Sequence, residues 1–323
     1  MSPTVLSFYC DDTNPYNAPP EAFKTFLDYV SAAGIAGEAS LIPGFACDEH
    51  GVIQPPLNDR QAAYIEQMQR AYACGVDTHF ELMTHQGLYD FDARRIPPNA
   101  MHEGVWLHEP AISVEEYETY FAHILAAGAA LGVQFSGMTE PGCGCERCQK
   151  RFQELEAAGS PGLNPNVWQA LLRLASQGKF RSQSVPCFIG SWRETCWSPC
   201  MARSECVLPP PQRCSSVGEG WGGVFDLSPN ARDLLGLWLN DPTRVDADYY
   251  ISADGQRGRI VELARAGAEY CIFYSHWQGL NPANGVGWRA FTQVVERVQK
   301  HLRDQVVWMR PSAYTDRLLA REG

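Results

Sequence analysis

The sequence predicts an α/β fold, a distorted (β/α) barrel of the TIM type, and three observations support this prediction. Short apolar segments alternate with segments of helical periodicity along much of the chain. The connections between these segments are short, which is typical of strands and helices that alternate around a parallel sheet. A length of 323 residues, of which 45% are hydrophobic, suits a single barrel with a large core.

The first part of the chain contains four predicted strands and three predicted helices. The predicted strands are residues 4–9, 35–42, 77–84 and 132–137, and the predicted helices are residues 20–33, 59–74 and 113–131. The third helix begins with a capping box, in which Ser113 is followed three residues later by Glu116. A polar loop over residues 92–112 precedes this helix.

Residues 159–222 interrupt the alternation because they are rich in Pro, Cys, Trp and Ser. We predict that they form an insertion or lid around one or two strands, 183–190 and 222–226, within a single barrel domain that spans residues 1–323. The alternation then returns, with a helix predicted over 257–266, a strand over 269–275, a helix over 286–302 and a strand over 306–308.

Charge and hydropathy exclude some classes of partner. The chain has 26 Lys and Arg against 37 Asp and Glu, a net charge of −11, whereas nucleic-acid binding needs clustered cations. No run of about 18 apolar residues is present, so we predict no contact with a membrane. The N-terminus lacks the basic and apolar regions of a signal peptide, which predicts a cytoplasmic protein.

Carboxylates and histidines follow several of the predicted strands, where the working residues of barrel enzymes lie. They are Asp11 and Asp12 after the first strand, His85 with Asp90 after the third, Glu140 after the fourth and His276 near the end of the chain. In the pair of Asp11 and Asp12, one carboxylate could ligate a metal while its neighbour serves as a general base. The alternative is a polar turn without catalytic function.

Three of these segments resemble the motifs of the polysaccharide deacetylase family. They are Asp11-Asp12, Thr84-His85 and Phe273-Tyr274-Ser275-His276. The stretch from Gly287 to Tyr314 is also similar to the last helix and strand of that family. The resemblance implies an irregular (β/α) barrel with Asp11 as general base, Asp12 and His85 as ligands of a divalent metal, and His276 as general acid. The expected metal is zinc.

The sequence departs from the family in its second motif. That motif is normally His-x-x-x-His, but Tyr89 stands four residues after His85. Asp90 is the nearest replacement, and a carboxylate there suits zinc or a harder ion. His102 and His108 are further candidates for the missing ligand.

These residues predict a metal-dependent hydrolase of the deacetylase or amidohydrolase type, acting on a carbohydrate-like substrate. Asp11 deprotonates the attacking water and His276 protonates the leaving group. Trp277 beside the acid offers a flat ring to a sugar face.

Two other functions stay open. Glu140 lies in a Thr-Glu-Pro sequence that looks like the acid/base motif of retaining glycosidases, and it would then need a second carboxylate about 5 Å away. Asp226 and Asp254 are the candidates for that carboxylate. The third possibility is a barrel that binds a saccharide without turning it over, with Glu140 and Trp277 as binding residues.

The chain has 12 cysteines, and three of them form a tight group. Cys143, Cys145 and Cys148 have the spacing Cys-x-Cys-x-x-Cys, which brings three thiolates within reach of one structural zinc ion. The fourth ligand would come from the cysteines between residues 187 and 214. The alternative is that all three are free thiols.

Overall fold

The structure is a computed structural model, and the residues that it describes are 3–44, 56–142, 145–158, 163–188, 223–227, 229–236 and 241–322. Its central feature is a parallel sheet of eight strands. These are β1 (Thr4–Asp11), β2 (Gly37–Leu41), β3 (Val76–Phe80), β4 (Gly137–Thr139), β5 (Val185–Phe188), β6 (Val224–Asp226), β7 (Tyr270–His276) and β8 (Val306–Trp308).

The strands follow the order β6-β5-β4-β3-β2-β1-β7, and β8 also pairs with β1. One edge of β1 pairs with β7 from Val5 to Asp11. Strand β8 pairs with residues 4–6 of β1 and β2 pairs with residues 8–10, so these two strands share the other edge. The first strand therefore pairs with three other strands of the sheet.

The sheet curves toward closure between β6 and β7 through the segment that contains Asn230 and Ala231. Ala231 forms a parallel bridge with Phe273 of β7. The Asn230 side chain accepts a hydrogen bond from the Ile272 amide at 3.0 Å and donates to the Tyr270 carbonyl at 3.0 Å. The asparagine side chain thus adds two hydrogen bonds to the backbone pairing of this segment with β7.

Helices pack around the sheet, and the last of them contacts the cluster on its inner face. They are α1 (Pro20–Ala33), α2 (Asp59–Ala71), α3 (Glu103–Trp106), α4 (Val114–Ala130), α5 (Glu146–Ala157), α6 (Pro165–Ser176), α7 (Ala247–Tyr250), α8 (Arg259–Ala266), α9 (Trp277–Leu280), α10 (Val286–His301) and α11 (Pro311–Glu322). Among the helices described, none is both long enough and apolar enough to cross a bilayer.

Two hydrophobic clusters lie on the two faces of the sheet, because successive strand residues point to opposite faces. The larger cluster contains Phe8 and Cys10 and packs between the strands and the helices. The smaller cluster lies inside the barrel and contains Tyr9 and Phe188, with Leu318 of α11 packed against it. The same alternation directs the Asp11 side chain into the barrel, because Asp11 is two residues after Tyr9 on the same strand.

The predicted distorted barrel is confirmed, but the sequence analysis does not predict α3, α5, α6 and α11, and α3 lies within the predicted polar loop. The ends of some predicted elements also differ. Strand β3 ends at Phe80 rather than at Thr84, so the next residues form a loop. The described part of the predicted insertion, residues 163–188, contains α6 and β5, and β5 is a regular member of the sheet. Residues 189–222 lie outside the described residues.

Candidate metal and catalytic site

The strands β1 and β7 bring the first catalytic candidates together. Asp11 and His276 are direct partners in the parallel register of these strands, at the carboxyl ends of both. Asp11 is buried, with 3% of its surface exposed. Asp12 has a left-handed backbone, with φ of 64°, so the chain turns immediately after the strand.

Asp12, Glu81 and His85 form a group whose ligand atoms all lie within 4.8 Å of one another. The His85 Nε2 atom lies 2.8 Å from Glu81 Oε1 and 3.4 Å from Asp12 Oδ1. The Asp12 amide donates a hydrogen bond to Glu81 Oε2 at 3.2 Å, which ties the two loops together. Two carboxylates and an imidazole are a donor set that fits a divalent ion such as zinc.

The electrostatics of this group favour a positive charge between the carboxylates. Burial lowers the pKa of His85, but the charge and hydrogen bond of Glu81 outweigh it and raise that pKa to about 10. Burial raises the pKa of Glu81, but the opposing charge of His85 lowers it to about 2. The pKa of Asp12 is raised, mainly by burial and by the charge of Glu81. A bound cation would supply this positive charge in place of the His85 proton, which must leave before the imidazole can act as a ligand.

Asp11 lies beside this group but faces different partners. The Ser40 hydroxyl is 3.2 Å from Asp11 Oδ1 and 2.7 Å from Glu81 Oε2, and thus connects the two carboxylates. The Tyr274 hydroxyl donates to Asp11 Oδ2 at 3.4 Å. Burial and the charge of Glu81 raise the pKa of Asp11 well above its usual value. A general base must be ionised, and a cation held by the neighbouring carboxylates and imidazole would favour that form of Asp11.

His276 is held by a carboxylate on one side and a phenol on the other. Its Nδ1 atom lies 2.9 Å from Asp233 Oδ2, and its Nε2 atom lies 3.0 Å from the Tyr274 hydroxyl. Burial lowers the pKa of His276, but the hydrogen bond and charge of Asp233 outweigh it, so the pKa is raised. The imidazolium form, which a general acid needs, is favoured by this arrangement.

No protein-family model matches the chain, and no curated protein matches it either. A solved protein of Parabacteroides distasonis, provisionally named a glycoside hydrolase/deacetylase, is 6% identical, with a TM-score of 0.51 over 99% of this chain and 72% of its own. A protein of Pseudomonas aeruginosa provisionally named a polysaccharide deacetylase is 9% identical, with a TM-score of 0.46 over 99% and 91%. A T48 deacetylase solved with substrate is 12% identical, with a TM-score of 0.42 over 99% and 92%.

The resemblance to polysaccharide deacetylases is confirmed at the level of the fold. Of these three structures, the one from Parabacteroides distasonis exceeds a TM-score of 0.5, and at 6% identity it establishes the architecture alone. The roles of the residues in this deacetylase-like barrel must therefore be argued from its own geometry.

Asp90, the predicted third ligand, does not belong to the ligand group, and Glu81 occupies the place that we expected it to take. The Asp90 carboxylate instead accepts hydrogen bonds from the amides of Asp92 and Ala93, at 3.0 and 2.8 Å. These bonds stabilise a turn. His102 lies near the group, with its ring centroid 6.4 Å from that of His85, and its Nδ1 atom caps α3.

The prediction that Trp277 stacks against a sugar is wrong for this deacetylase-like barrel. Its side chain is buried, with 1% exposed, and packs edge-on against Phe23 and Phe26 of α1. The indole nitrogen donates to the Asn17 carbonyl at 2.8 Å. Neither ring face is accessible because helix α9 begins at this residue and turns it toward the core.

Glu140 directly follows β4, as predicted, but its nearest partner is a histidine. Glu140 Oε1 lies 2.5 Å from His108 Nε2, while Glu140 Oε2 is buried and has no hydrogen bond among the described residues. The candidate second carboxylates have other surroundings: Asp226 is fully buried on β6, and Asp254 bonds to Ser252 at 2.5 Å. Roles of Glu140 in binding or glycoside cleavage stay predictions.

Of the predicted structural zinc ligands, Cys143 lies outside the described residues. Cys145 is exposed and caps helix α5, with its sulfur accepting a hydrogen bond from the Cys148 amide at 3.4 Å. Cys148 is buried. Cys187, a candidate for the fourth ligand, is buried in β5 within the outer core. The structural zinc site stays a prediction.

A cavity of about 720 Å³ opens beside His85. Its wall includes Met101 and His102 from the loop before α4, and Glu109, Arg147 and Arg151 farther from the ligand group. Arg151 and Glu109 form a two-point ion pair, at 2.7 and 2.8 Å, that stiffens this wall. Its size and mixed polar and apolar lining are appropriate for a small molecule of sugar-like size.

A second polar pair lies deeper in the barrel. Glu38 of β2 and His79 of β3 are fully buried, with Glu38 Oε2 and His79 Nδ1 3.8 Å apart. Burial raises the pKa of Glu38 and lowers that of His79 to about 3. His79 is not a member of the ligand group of Asp12, Glu81 and His85.

Sequence reasoning missed Glu81, Asp233 and Glu103 as functional candidates. The sequence contains one indication of Glu81: it precedes His85 by four residues, which is the separation of the two histidines in His-x-x-x-His. A strand predicted to continue to Thr84 places Glu81 inside the strand and not at its end. Asp233 follows β6 without a recognisable motif, and nothing in the sequence alone pairs it with His276.

Proposed function

We propose that this protein is a metal-dependent hydrolase that removes an acyl group from a carbohydrate. The observation that carries the proposal is the convergence of Asp12, Glu81 and His85 on one point, at the same barrel mouth as Asp11 and His276. A ligand group beside a carboxylate base and a histidine acid is an arrangement that can support metal-assisted hydrolysis of an amide or ester.

In this proposal Asp12, Glu81 and His85 hold the ion. When bound, the ion polarises the acyl carbonyl and makes the attacking water more acidic. The ionised carboxylate of Asp11 accepts the proton of that water. His276 gives a proton to the leaving nitrogen or oxygen, while Asp233 stabilises its charged form. The cavity beside His85 receives the sugar.

The proposal is tested by metal content and product analysis of the purified protein. We expect about one divalent ion at the mouth and release of acetate from an N-acetylated or O-acetylated oligosaccharide, abolished by a chelator and restored by zinc. Cleavage of a model glycoside that is insensitive to the chelator would favour the glycosidase role of Glu140. Binding of the oligosaccharide without either product would indicate a saccharide-binding barrel.

We expect Tyr274→Phe to lower kcat about tenfold without changing metal content. The Tyr274 hydroxyl contacts both Asp11 and His276, so its loss frees the two catalytic side chains to rotate. The ring itself should stay in place because it stacks on Tyr9 with centroids 4.9 Å apart. The measurement is steady-state hydrolysis of the acetylated oligosaccharide.

Tyr9→Phe is the matched control for this variant, since it removes a buried hydroxyl from the same aromatic stack. Equal losses of kcat in Tyr9→Phe and Tyr274→Phe would contradict a specific role for the Tyr274 hydroxyl.

A further inference from the structure

The loop that carries His85 has an unusual backbone. Leu82 and His85 both have positive φ angles, 49° and 59°. Neither residue is glycine, and the left-handed region is unfavourable for side chains of their size. Such a conformation persists only where the surrounding structure holds it, so this loop requires an external restraint.

Glu103 provides that restraint from the first turn of α3. One oxygen of its buried carboxylate accepts a hydrogen bond from the Met83 amide at 3.0 Å. The other accepts bonds from the amides of Thr84 and His85, at 2.9 and 2.7 Å. The Tyr120 hydroxyl donates to the first oxygen at 2.5 Å. Three successive amides of the loop thus converge on one carboxylate.

The backbone of Glu103 adds a fifth contact in the opposite direction. Its amide donates to the Gln86 carbonyl at 2.6 Å. The loop from Met83 to Gln86 is therefore fixed to α3 by its own main chain at every residue. A carboxylate suits this position because it offers acceptors alone, whereas a glutamine would turn an NH₂ group toward amide donors.

We propose that Glu103 is a positioning residue for the metal site: its carboxylate locks the His85 loop so that the imidazole points at Glu81 and Asp12. The ligand role of His85 rests on the proposed function, but the locking of the loop does not. Outer partners of a ligand commonly contribute 10–100-fold to metal affinity, because they fix the orientation of the ligand before binding.

The test is Glu103→Gln in the full chain, with two separate measurements. The first is hydrogen exchange of the Met83, Thr84 and His85 amides in metal-free protein, compared with amides of β7. We expect exchange to accelerate at least about tenfold at the three loop amides and to change little in β7. The second is zinc affinity by calorimetry, for which we expect a Kd weakened about 10–100-fold.

Tyr120→Phe is the milder variant and serves if Glu103→Gln does not fold. It keeps the carboxylate and removes one of its four hydrogen bonds, together with the bond that the Tyr120 hydroxyl accepts from the Tyr89 amide at 2.9 Å. We expect a smaller acceleration of exchange at the three loop amides and a smaller loss of zinc affinity than in Glu103→Gln. Tyr117→Phe is the matched control, because Tyr117 lies on the same helix and donates to the Trp106 carbonyl instead. It should leave loop exchange and zinc affinity unchanged.

Unchanged exchange in a folded Glu103→Gln protein, or an acceleration spread evenly over the chain, would overturn the proposal. Wild-type protein that binds no zinc would overturn the proposed function. The exchange measurement then still decides whether Glu103 locks the loop.

Discussion

Glu81→Gln is expected to abolish zinc binding at the barrel mouth while the fold is kept. The substitution preserves shape but replaces one of two carboxylates that flank His85, leaving the ion with a weaker ligand and less negative charge. We expect zinc affinity to fall by at least about 100-fold, more than the loss of an outer partner would cause. Calorimetry with zinc, and metal analysis of the purified variant, measure this directly.

Asp90→Asn is the matched control for Glu81→Gln. Both substitutions neutralise a carboxylate near His85 in sequence, but the Asp90 side chain only stabilises a turn. Its zinc affinity should equal that of the wild type. If Asp90→Asn lost the ion and Glu81→Gln kept it, the ligand group read from the structure would be wrong and the third ligand predicted from the sequence would be right.

His276→Ala is expected to reduce turnover by about 10²–10⁴ while the metal content is retained, because a general acid typically contributes that much. The histidine contacts Asp233 and Tyr274 and is not a member of the ligand group. Hydrolysis of the acetylated oligosaccharide and metal analysis on the same sample separate the two effects. An unchanged rate would exclude His276 as the acid.

Asp233→Asn tests the same role through the pH profile. Asp233 raises the pKa of His276, so its neutralisation lowers that pKa. A general acid is active below its pKa, and the alkaline limb of kcat should therefore move to lower pH. Asp254→Asn is the control, since Asp254 bonds to its own loop and should leave the limb in place. Identical profiles for Asp233→Asn and the wild type would contradict the role.

The parts of the site that the sequence predicts correctly lie at strand ends. Asp11 and His276 come together because two parallel strands end at the same edge, a consequence of topology that needs no side-chain detail. The adjacent Asp12 follows from the same rule, whereas His85 lies in the loop after β3. Their mutual distance of 3.4 Å agrees with the prediction that they lie near one another.

The parts that the sequence does not predict depend on where a strand stops. Leu82 and Met83 are buried and apolar, so the pattern extends β3 through them, but a loop held by Glu103 buries them instead. Glu81 thereby becomes a candidate ligand at the end of the strand. The sugar-binding prediction for Trp277 fails for a different reason: it directly follows the inward-facing His276, and its ring lies in the outer core against α1.

The position of β1 has a consequence for how the protein is made. Its edges pair with β2, β7 and β8, and two of these partners are encoded near the other end of the described chain. At about 5–20 residues per second, ribosomal synthesis separates β1 from β7 by roughly 15–50 seconds. During that interval one whole edge of β1 has no strand to bind. Contacts between such distant segments also slow folding. Asp11 and His276 therefore meet late, and catalytic competence should be among the last properties that the nascent chain acquires.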